Sequence, residues 1–291
     1  MRILIAANDK PFSACAVKEA AKIAGETWSD VRLLGIIDKN NGSGKSDNNE
    51  KLLAALRSLE NDFLGFFEGR DMESPYTKSS PVRKLIQISP GIYEDVYILG
   101  GAMKDLSVRL REGSSAREII AESAQSQSDL IIMGCPKDDQ CTWPGDNSAP
   151  QKVASDAACS VLIVKEEKHP EKIVCCLDHD YVSQESLEMI NQMISVHSAE
   201  LELVGITDSG ALKEDVDQKM NQVLKYYQNQ HIKAWIKLVD AQSLDDFISQ
   251  AARKDLIALW MGKKSLFHKL FPKQRVNRLI NGAQSSVLIL R

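Results

Sequence analysis

Short apolar runs without strict alternation recur along the chain: Arg2–Asn8, Val31–Asp38, Asp129–Gly134 and Val161–Val164 in the first half. Such runs predict parallel strands covered by helices on both faces, since a half-exposed strand would alternate apolar and polar residues. Between the runs the apolar positions take helical spacing. Leu187, Ile190 and Ile194 share one helix face, as do Val216, Met220, Val223 and Leu224. Ser115 followed by Glu118 reads as a capping box that opens a helix over Ala116–Ala124. Alternation of five strands with four helices in each half predicts right-handed crossovers and a doubly wound sheet.

The halves repeat each other. At an offset of 170, Ile3–Asn8 falls on Ile173–Asp178, Ser13 on Ser183, and Leu33–Asp38 on Leu203–Asp208. The offset then drops to 128, where Ile119-Ile120 meets Phe247-Ile248 and Met133-Gly134 meets Met261-Gly262. It drops to 126 at the ends, where Ser160–Ile163 meets Ser286–Ile289. Going from 170 to 128 gives the first half 42 extra residues before Gly113, and going from 128 to 126 gives it two more after Gly134. A repeat of this length is one structural unit used twice. The expected fold class is α/β, with two tandem doubly wound five-stranded parallel-sheet domains related by a pseudo-twofold. Residues 1–166 form the first domain, with an insertion around 70–104, and 171–291 form the second. The charged stretch 165–171, with Pro170 inside it, is expected as the linker. The insertion holds Pro75, Ser79-Ser80-Pro81, Pro90-Gly91 and the apolar Ile92–Leu99. A strand or helix packed on its own domain is favoured over a partner-binding flap, because exposed apolar patches of that size are uncommon.

Composition narrows the function classes. The chain has 291 residues, 43% hydrophobic and 26% charged, with a formal net charge of −4, as in ordinary soluble proteins. That balance argues against a dedicated nucleic-acid binder, which needs a basic face. No apolar run reaches the ~18 residues of a membrane span, and Met1-Arg2 leads straight into a strand, so a cytoplasmic location is expected. One or both of the neighbours Cys175 and Cys176 are expected as buried thiols. Cys135 and Cys141 have a spacing that matches no common zinc pattern, so ordinary loop thiols are expected there in preference to a metal or redox pair.

In an open parallel sheet, ligands sit beyond the carboxyl ends of the strands where strand order reverses. The segments to inspect are Asn8-Asp9-Lys10, Gly134–Ser148, Asp178-His179-Asp180 and Gly262–Gln274. Helix amino ends at such places attract phosphate through free N–H groups. A strand ending in a small or acidic residue, the strand Leu33–Asp38, then Asp129–Gly134 and Cys159–Val164, together resemble the universal stress protein domain. The resemblance covers both halves apart from the insertion and implies a Rossmann-like fold. ATP-binding members of that family carry an Asp after strand one and a strand-two residue that meets adenine through its backbone. They also carry the pattern Gly, two residues, Gly, nine residues, Gly-Ser/Thr around the phosphates.

Carried onto this chain, the resemblance assigns candidate nucleotide-binding positions. In the first half Asn8 takes the place of the Asp, Ile36 the adenine-contacting place, and Met133 the place before the loop. Gly134 and Ser148 keep the motif, while Lys137 and Asn147 replace its other glycines. In the second half Asp178, Ile206, Met261 and Gly262 are kept, Ser265 stands at the second glycine, and Lys273-Gln274 stands where Gly-Ser would be. A Cβ where close phosphate approach is needed costs roughly 1 kcal/mol or more. Lys137, Lys263 and Lys264 can instead offer point charges to phosphate. Lys263, Lys264, Lys269, Lys273, Arg275 and Arg278, interleaved with Leu266, Phe267, Leu270 and Phe271, read as a solvated loop and helix in preference to an anion or lipid site.

Catalytic arrangements are not supported. Asp178-His179-Asp180 are adjacent residues pointing in different directions, and there is neither a Gly-x-Ser-x-Gly elbow nor a Walker-type lysine motif. The resemblance implies a stress-response or regulatory protein that binds ATP or AMP, with Mg²⁺, in a degenerate site without efficient turnover. The alternatives are a nucleotide-independent interaction scaffold with closed clefts and, after it, a slow ATPase. An unidentified protein partner is expected. In the family the last strand commonly pairs across a dimer, so the resemblance implies pairing of Ser160–Val164 with Ser286–Leu290 inside this chain, with a homodimer as the alternative.

Overall fold

The fold is seen in a computed structural model that describes residues 1–38, 45–68, 75–76, 83–97, 104–137, 143, 146–165, 170–176, 183–207, 214–261 and 272–291. The chain divides into two compact units, Met1–Glu167 and Lys168–Arg291. In the first unit β1 (Arg2–Ala6), α1 (Pro11–Thr27), β2 (Asp30–Ile37) and α2 (Lys45–Gly65) lead into β3 (Arg83–Ser89) and β4 (Ile92–Tyr97). Then follow β5 (Leu106–Glu112), α3 (Ser115–Gln125), β6 (Leu130–Gly134), α4 (Ala149–Asp156) and β7 (Ser160–Val164). Its strand order is β7-β6-β1-β2-β5-β4-β3. The five strands from β7 to β5 run parallel, while β4 and β3 are antiparallel additions at the edge.

The core lies where the apolar runs placed it. Ile3 to Ala7, Leu130 to Met133 and Val161 to Val164 are buried on both faces of the sheet. Ala16, Ala20, Ala21 and Ala24 give α1 a small-residue face, so it lies close on β1 and β6. Pro11 starts α1 at a position where a missing N–H costs nothing, and Trp28, at φ 49°, ends it by donating to the Ala24 carbonyl.

The insertion forms a hairpin on the unit's own sheet. β4 pairs with β5 from Ile92↔Arg111 to Asp95↔Val108, and the β3–β4 turn passes through Gly91 at φ +71°. Asp95 of β4 is buried and takes a bidentate bond from Arg57 of α2, at 2.7 and 2.8 Å. Arg83 of β3 pairs with Glu60 of the same helix. On the other face Glu122 of α3, fully buried, receives Arg32, Arg109 and Arg111 at 2.7–2.8 Å. The expected capping box at Ser115 is not formed. The cap is Ser114, whose side chain makes no capping hydrogen bond and donates instead to Asp146 Oδ2 at 3.5 Å, and the Glu118 carboxylate is taken by Arg111 at 2.9 Å.

The second unit contains β8 (Lys172–Cys176), α5 (Gln184–His197), β9 (Glu200–Thr207), α6 (Glu214–Asn229) and β10 (Ala234–Asp240). It continues with α7 (Leu244–Ala251), β11 (Leu256–Trp260), α8 (Lys273–Gly282) and β12 (Val287–Leu290). Its parallel order β10-β9-β8-β11-β12 matches β5-β2-β1-β6-β7 strand for strand. Both Cys175 and Cys176 are fully buried, and desolvation pushes their thiols up. Lys165, expected in the linker, belongs instead to the first unit's interior at 2% exposure. Cys135 is disulfide-bonded, so the expectation of an ordinary loop thiol fails there. Cys141 lies outside the described residues. No helix among the described residues is long and apolar enough to cross a membrane.

Candidate functional site

The crevice of the first unit opens beyond the carboxyl ends of β1 and β6, which pair from Ile3↔Leu130 to Ala6↔Met133. The strands that follow each of them diverge here, β2 to one side and β7 to the other, which is where open sheets hold ligands. Asn8 stands just past β1 and is nearly enclosed. Its backbone N–H donates to Ser13 Oγ, and its Oδ1 accepts from Ser13 Oγ and from Lys10 N, all at 2.9 Å. Two donors on that atom fix which end of the amide is oxygen. Among the described residues, Nδ2 is left buried without a hydrogen-bond partner. An Asp at this place would present a second acceptor, so the change to Asn inverts the polarity on offer.

Gly134 ends β6, and its lack of a side chain serves a contact within the protein. A Cβ there would lie 2.1 Å from the backbone oxygen of Phe12, at the start of α1. Trp143, 3% exposed, packs over the same spot. Its ring centroid lies 6.0 Å from that of Phe12, and its Nε1 donates to the Gly134 carbonyl at 3.3 Å. Two aromatic rings of the protein thus crowd the glycine that the motif would give to phosphate.

The amino end of α4 is likewise occupied. Asp146 Oδ1 accepts from Ser148 N at 3.2 Å, Ser148 Oγ at 3.1 Å and Lys152 Nζ at 2.8 Å. Ala149 N donates to the Asp146 carbonyl at 3.1 Å, Lys152 N donates to Ser148 O, and Pro150 has no N–H to give. Burial alone would raise the Asp146 pKa. The Lys152 hydrogen bond and the two Ser148 donors outweigh it and hold the carboxyl below its ordinary value. A carboxylate therefore sits where the helix dipole and the free amides would draw a phosphate.

The remaining first-unit candidates scatter. Ile36 is half-buried on β2 opposite Arg111, Met133 is wholly buried, Lys137 is half-buried and Asn147 is exposed. The structure thus brings Asn8, Gly134 and Ser148 around one crevice. It adds Phe12, Trp143 and Asp146, which the motif comparison passes over. A signal for Asp146 was present: an Asp two residues before a Ser at a helix start is the pattern of an Asx turn. Trp143 carries no such local signal.

In the second unit Asp178, Gly262 and Ser265 lie outside the described residues, as do Lys263, Lys264 and Lys269. Ile206 is half-buried on β9 and Met261 is buried just past β11. Lys273 and Gln274 are exposed on the first turn of α8, which is capped at Pro272. Arg275 pairs with Asp245 at 3.2 Å. Among the described residues no three His, Cys, Asp or Glu side chains are grouped to hold a metal ion.

A family model described as the universal stress protein family matches residues 1–165. The chain belongs to that family. Solved universal stress proteins resemble it along its whole length. One from Archaeoglobus fulgidus DSM 4304 is 11% identical, covers 100% of this chain and 98% of its own, and has a TM-score of 0.63. A putative universal stress protein from Pseudomonas aeruginosa UCBPP-PA14 is 16% identical, covers 100% and 93%, and has a TM-score of 0.54. A universal stress protein in complex with cAMP is 16% identical and covers 57% of this chain and 97% of its own, with a TM-score of 0.37. No curated protein matches the chain. In this universal stress protein Phe12 and Trp143 stand beside Gly134, and Asp146 takes the Ser148 N–H and hydroxyl at the start of α4.

Proposed function

We propose that this chain is a regulatory universal stress protein of the cytoplasm that works through protein partners, without turnover and without a triphosphate in its first unit. The observation that carries this reading is the Asp146 carboxylate at the start of α4, which consumes Ser148 N–H and Oγ and is itself charge-paired with Lys152. An entering phosphate would meet a fixed negative charge and few free amides, so the residues present do not fit ATP, with or without Mg²⁺. Of the three functional readings open to the sequence, a closed-cleft scaffold fits this arrangement best. Asn8 supports a second, narrower reading. Its buried, unsatisfied Nδ2 suits a small ligand that brings a hydrogen-bond acceptor and no phosphate, a nucleoside for instance.

Calorimetry and thermal shift on the full chain, with ATP, AMP, cAMP and adenosine, each with and without Mg²⁺, test both readings. A ligand present at 100 times its Kd stabilises a fold by about 2.7 kcal/mol. Millimolar ATP, AMP and cAMP are expected to give no saturable heat and no change in Tm. Saturable micromolar binding of MgATP overturns the proposal. Saturable adenosine binding that Asn8→Ala abolishes establishes the second reading, and silence with adenosine removes it.

A further inference from the structure

In the second unit α7 and α8 leave a cavity of about 360 Å³ between them. Helical spacing builds its walls. Asp245, Ile248 and Ala252 recur at intervals of three and four residues along α7 and just past it, and Arg275, Arg278 and Gly282 do so along α8. Ile248 and Leu279 are buried at the floor. Arg253 and Arg278 are exposed at the rim, and among the described residues neither guanidinium has a partner. Arg275 is paired with Asp245 at 3.2 Å. Gly282 leaves its part of the wall open, since a Cβ there would meet nothing within 4 Å.

The first unit supplies the contrast. There α3 and α4 pack against each other, whereas α7 and α8 stand further apart. At the offset of 128 Arg253 falls on Gln125, and at 126 Arg275, Arg278 and Gly282 fall on Ala149, Lys152 and Asp156. Arginines thus stand in place of two neutral residues and a glycine in place of an acid, which makes this seam both more positive and more open. Asp245 goes the other way, since it falls on Arg117, but Arg275 answers it. Asp246, the other acid on the cavity, falls on Glu118 and lies in the first turn of α7, where the helix dipole favours it.

We infer that the cavity between α7 and α8 binds a small organic anion, a carboxylate or phosphate monoester on an apolar body. Arg253 and Arg278 take the charged group, and the body lies over Ile248 and Leu279. A guanidinium suits either head, because its planar fork meets two oxygens at once. Charge alone does not suffice, since an exposed ion pair contributes little in water and a bare ion gains nothing more. An apolar body adds the burial that the charge lacks, and the cavity volume lies in the range of small-molecule sites. The site belongs to the second unit, so it stands or falls apart from the crevice of the first.

Calorimetry on the full chain tests this with naphthoate and naphthyl phosphate as probes. Naphthamide supplies the body without the charge, and inorganic phosphate the charge without the body. At least one naphthyl anion is expected to bind saturably with a stoichiometry of one, and the tighter of the two identifies the head. Naphthamide and inorganic phosphate are each expected to bind about tenfold more weakly or worse. Arg253→Gln and Arg278→Gln are each expected to weaken the tighter anion by about tenfold. Lys254→Gln, which removes the same charge from outside the cavity lining, is expected to leave it unchanged. Gly282→Phe is expected to fill the cavity and abolish binding at a Tm no lower than that of wild type, because a glycine is a poor helix residue. No saturable heat with either anion overturns the proposal, as does equal binding of naphthamide or of inorganic phosphate. If Gly282→Phe does not fold, the arginine variants still decide, since undiminished affinity in both, or equal weakening by Lys254→Gln, overturns the site.

Discussion

Asp146 shows how one side chain can occupy the start of a helix that would otherwise face an open crevice. Its carboxylate accepts from Ser148 N, Ser148 Oγ and Lys152 Nζ just ahead of α4, where a negative charge complements the helix dipole. Asp146→Ala should therefore cost about 1–2 kcal/mol, the range of hydrogen bonds lost at a charged acceptor, read as a lower urea midpoint at unchanged slope. The pH dependence follows from the depressed carboxyl. A group whose folded pKa lies below its unfolded value contributes stability that is complete above the unfolded value and disappears as pH falls through the folded one. The gap between wild type and Asp146→Ala should thus hold from neutral pH down to about 4 and close below it. A gap that instead widens on acidification would mean that the Lys152 and Ser148 contacts do not stabilise the ionised form.

At the level of elements, β1, β6 and β7 were legible because they are buried on both faces and apolar almost throughout, whereas the parallel strand β5, with Arg109 and Arg111 in it, was not. Leu130–Gly134 has no exposed residue, so nothing interrupts the run. The hairpin was harder to read. Every residue from Lys84 to Ile88 is exposed, although Leu85, Ile86 and Ile88 are apolar, so β3 carries neither a two-residue period nor a continuous buried stretch. What holds it is distant in sequence: Asp95 to Arg57 and Arg83 to Glu60, ion pairs between the insertion and α2. The failed capping box has the same origin, since a local rule for Glu118 lost to a partner on β5, Arg111. The crevice followed suit, its glycine legible and its aromatic filling not. The Asp95 side chain is fully shielded, and its removal leaves Arg57 to rehydrate at the surface. Asp95→Asn should speed amide exchange in β3 and β4 by roughly 10- to 100-fold, about 1–3 kcal/mol of local opening, while β1 and β6 stay as they are. Uniform acceleration across the unit would show that the pair supports the whole core instead of the hairpin.

On the scale of the whole chain, the repeat makes each unit a control for the other. β5 and β10 hold the same place in the strand order, yet only β5 is followed outward by further strands. In the first unit Val108 to Arg111 of β5 are buried, and β4 covers its outer side from Arg111 to Val108. In the second unit β10 is the last strand, with Lys237 and Leu238 exposed, Leu238 at 47%. A sheet edge leaves its outward N–H and C=O groups to water, and such strands open at the lowest free energy. The insertion therefore moves the first unit's edge from β5 to β3 without changing the parallel core behind it. Native-state hydrogen exchange should place β1, β6, β8 and β11 slowest in their respective units, and β3 and β10 fastest. Between the equivalent strands, β5 amides should exchange at least tenfold more slowly than those of β10, a difference of about 1.4 kcal/mol in opening free energy. Equal exchange of β5 and β10, with β3 still protected, would show that edge position does not set local stability here. It would also mean that the hairpin does something other than seal the sheet.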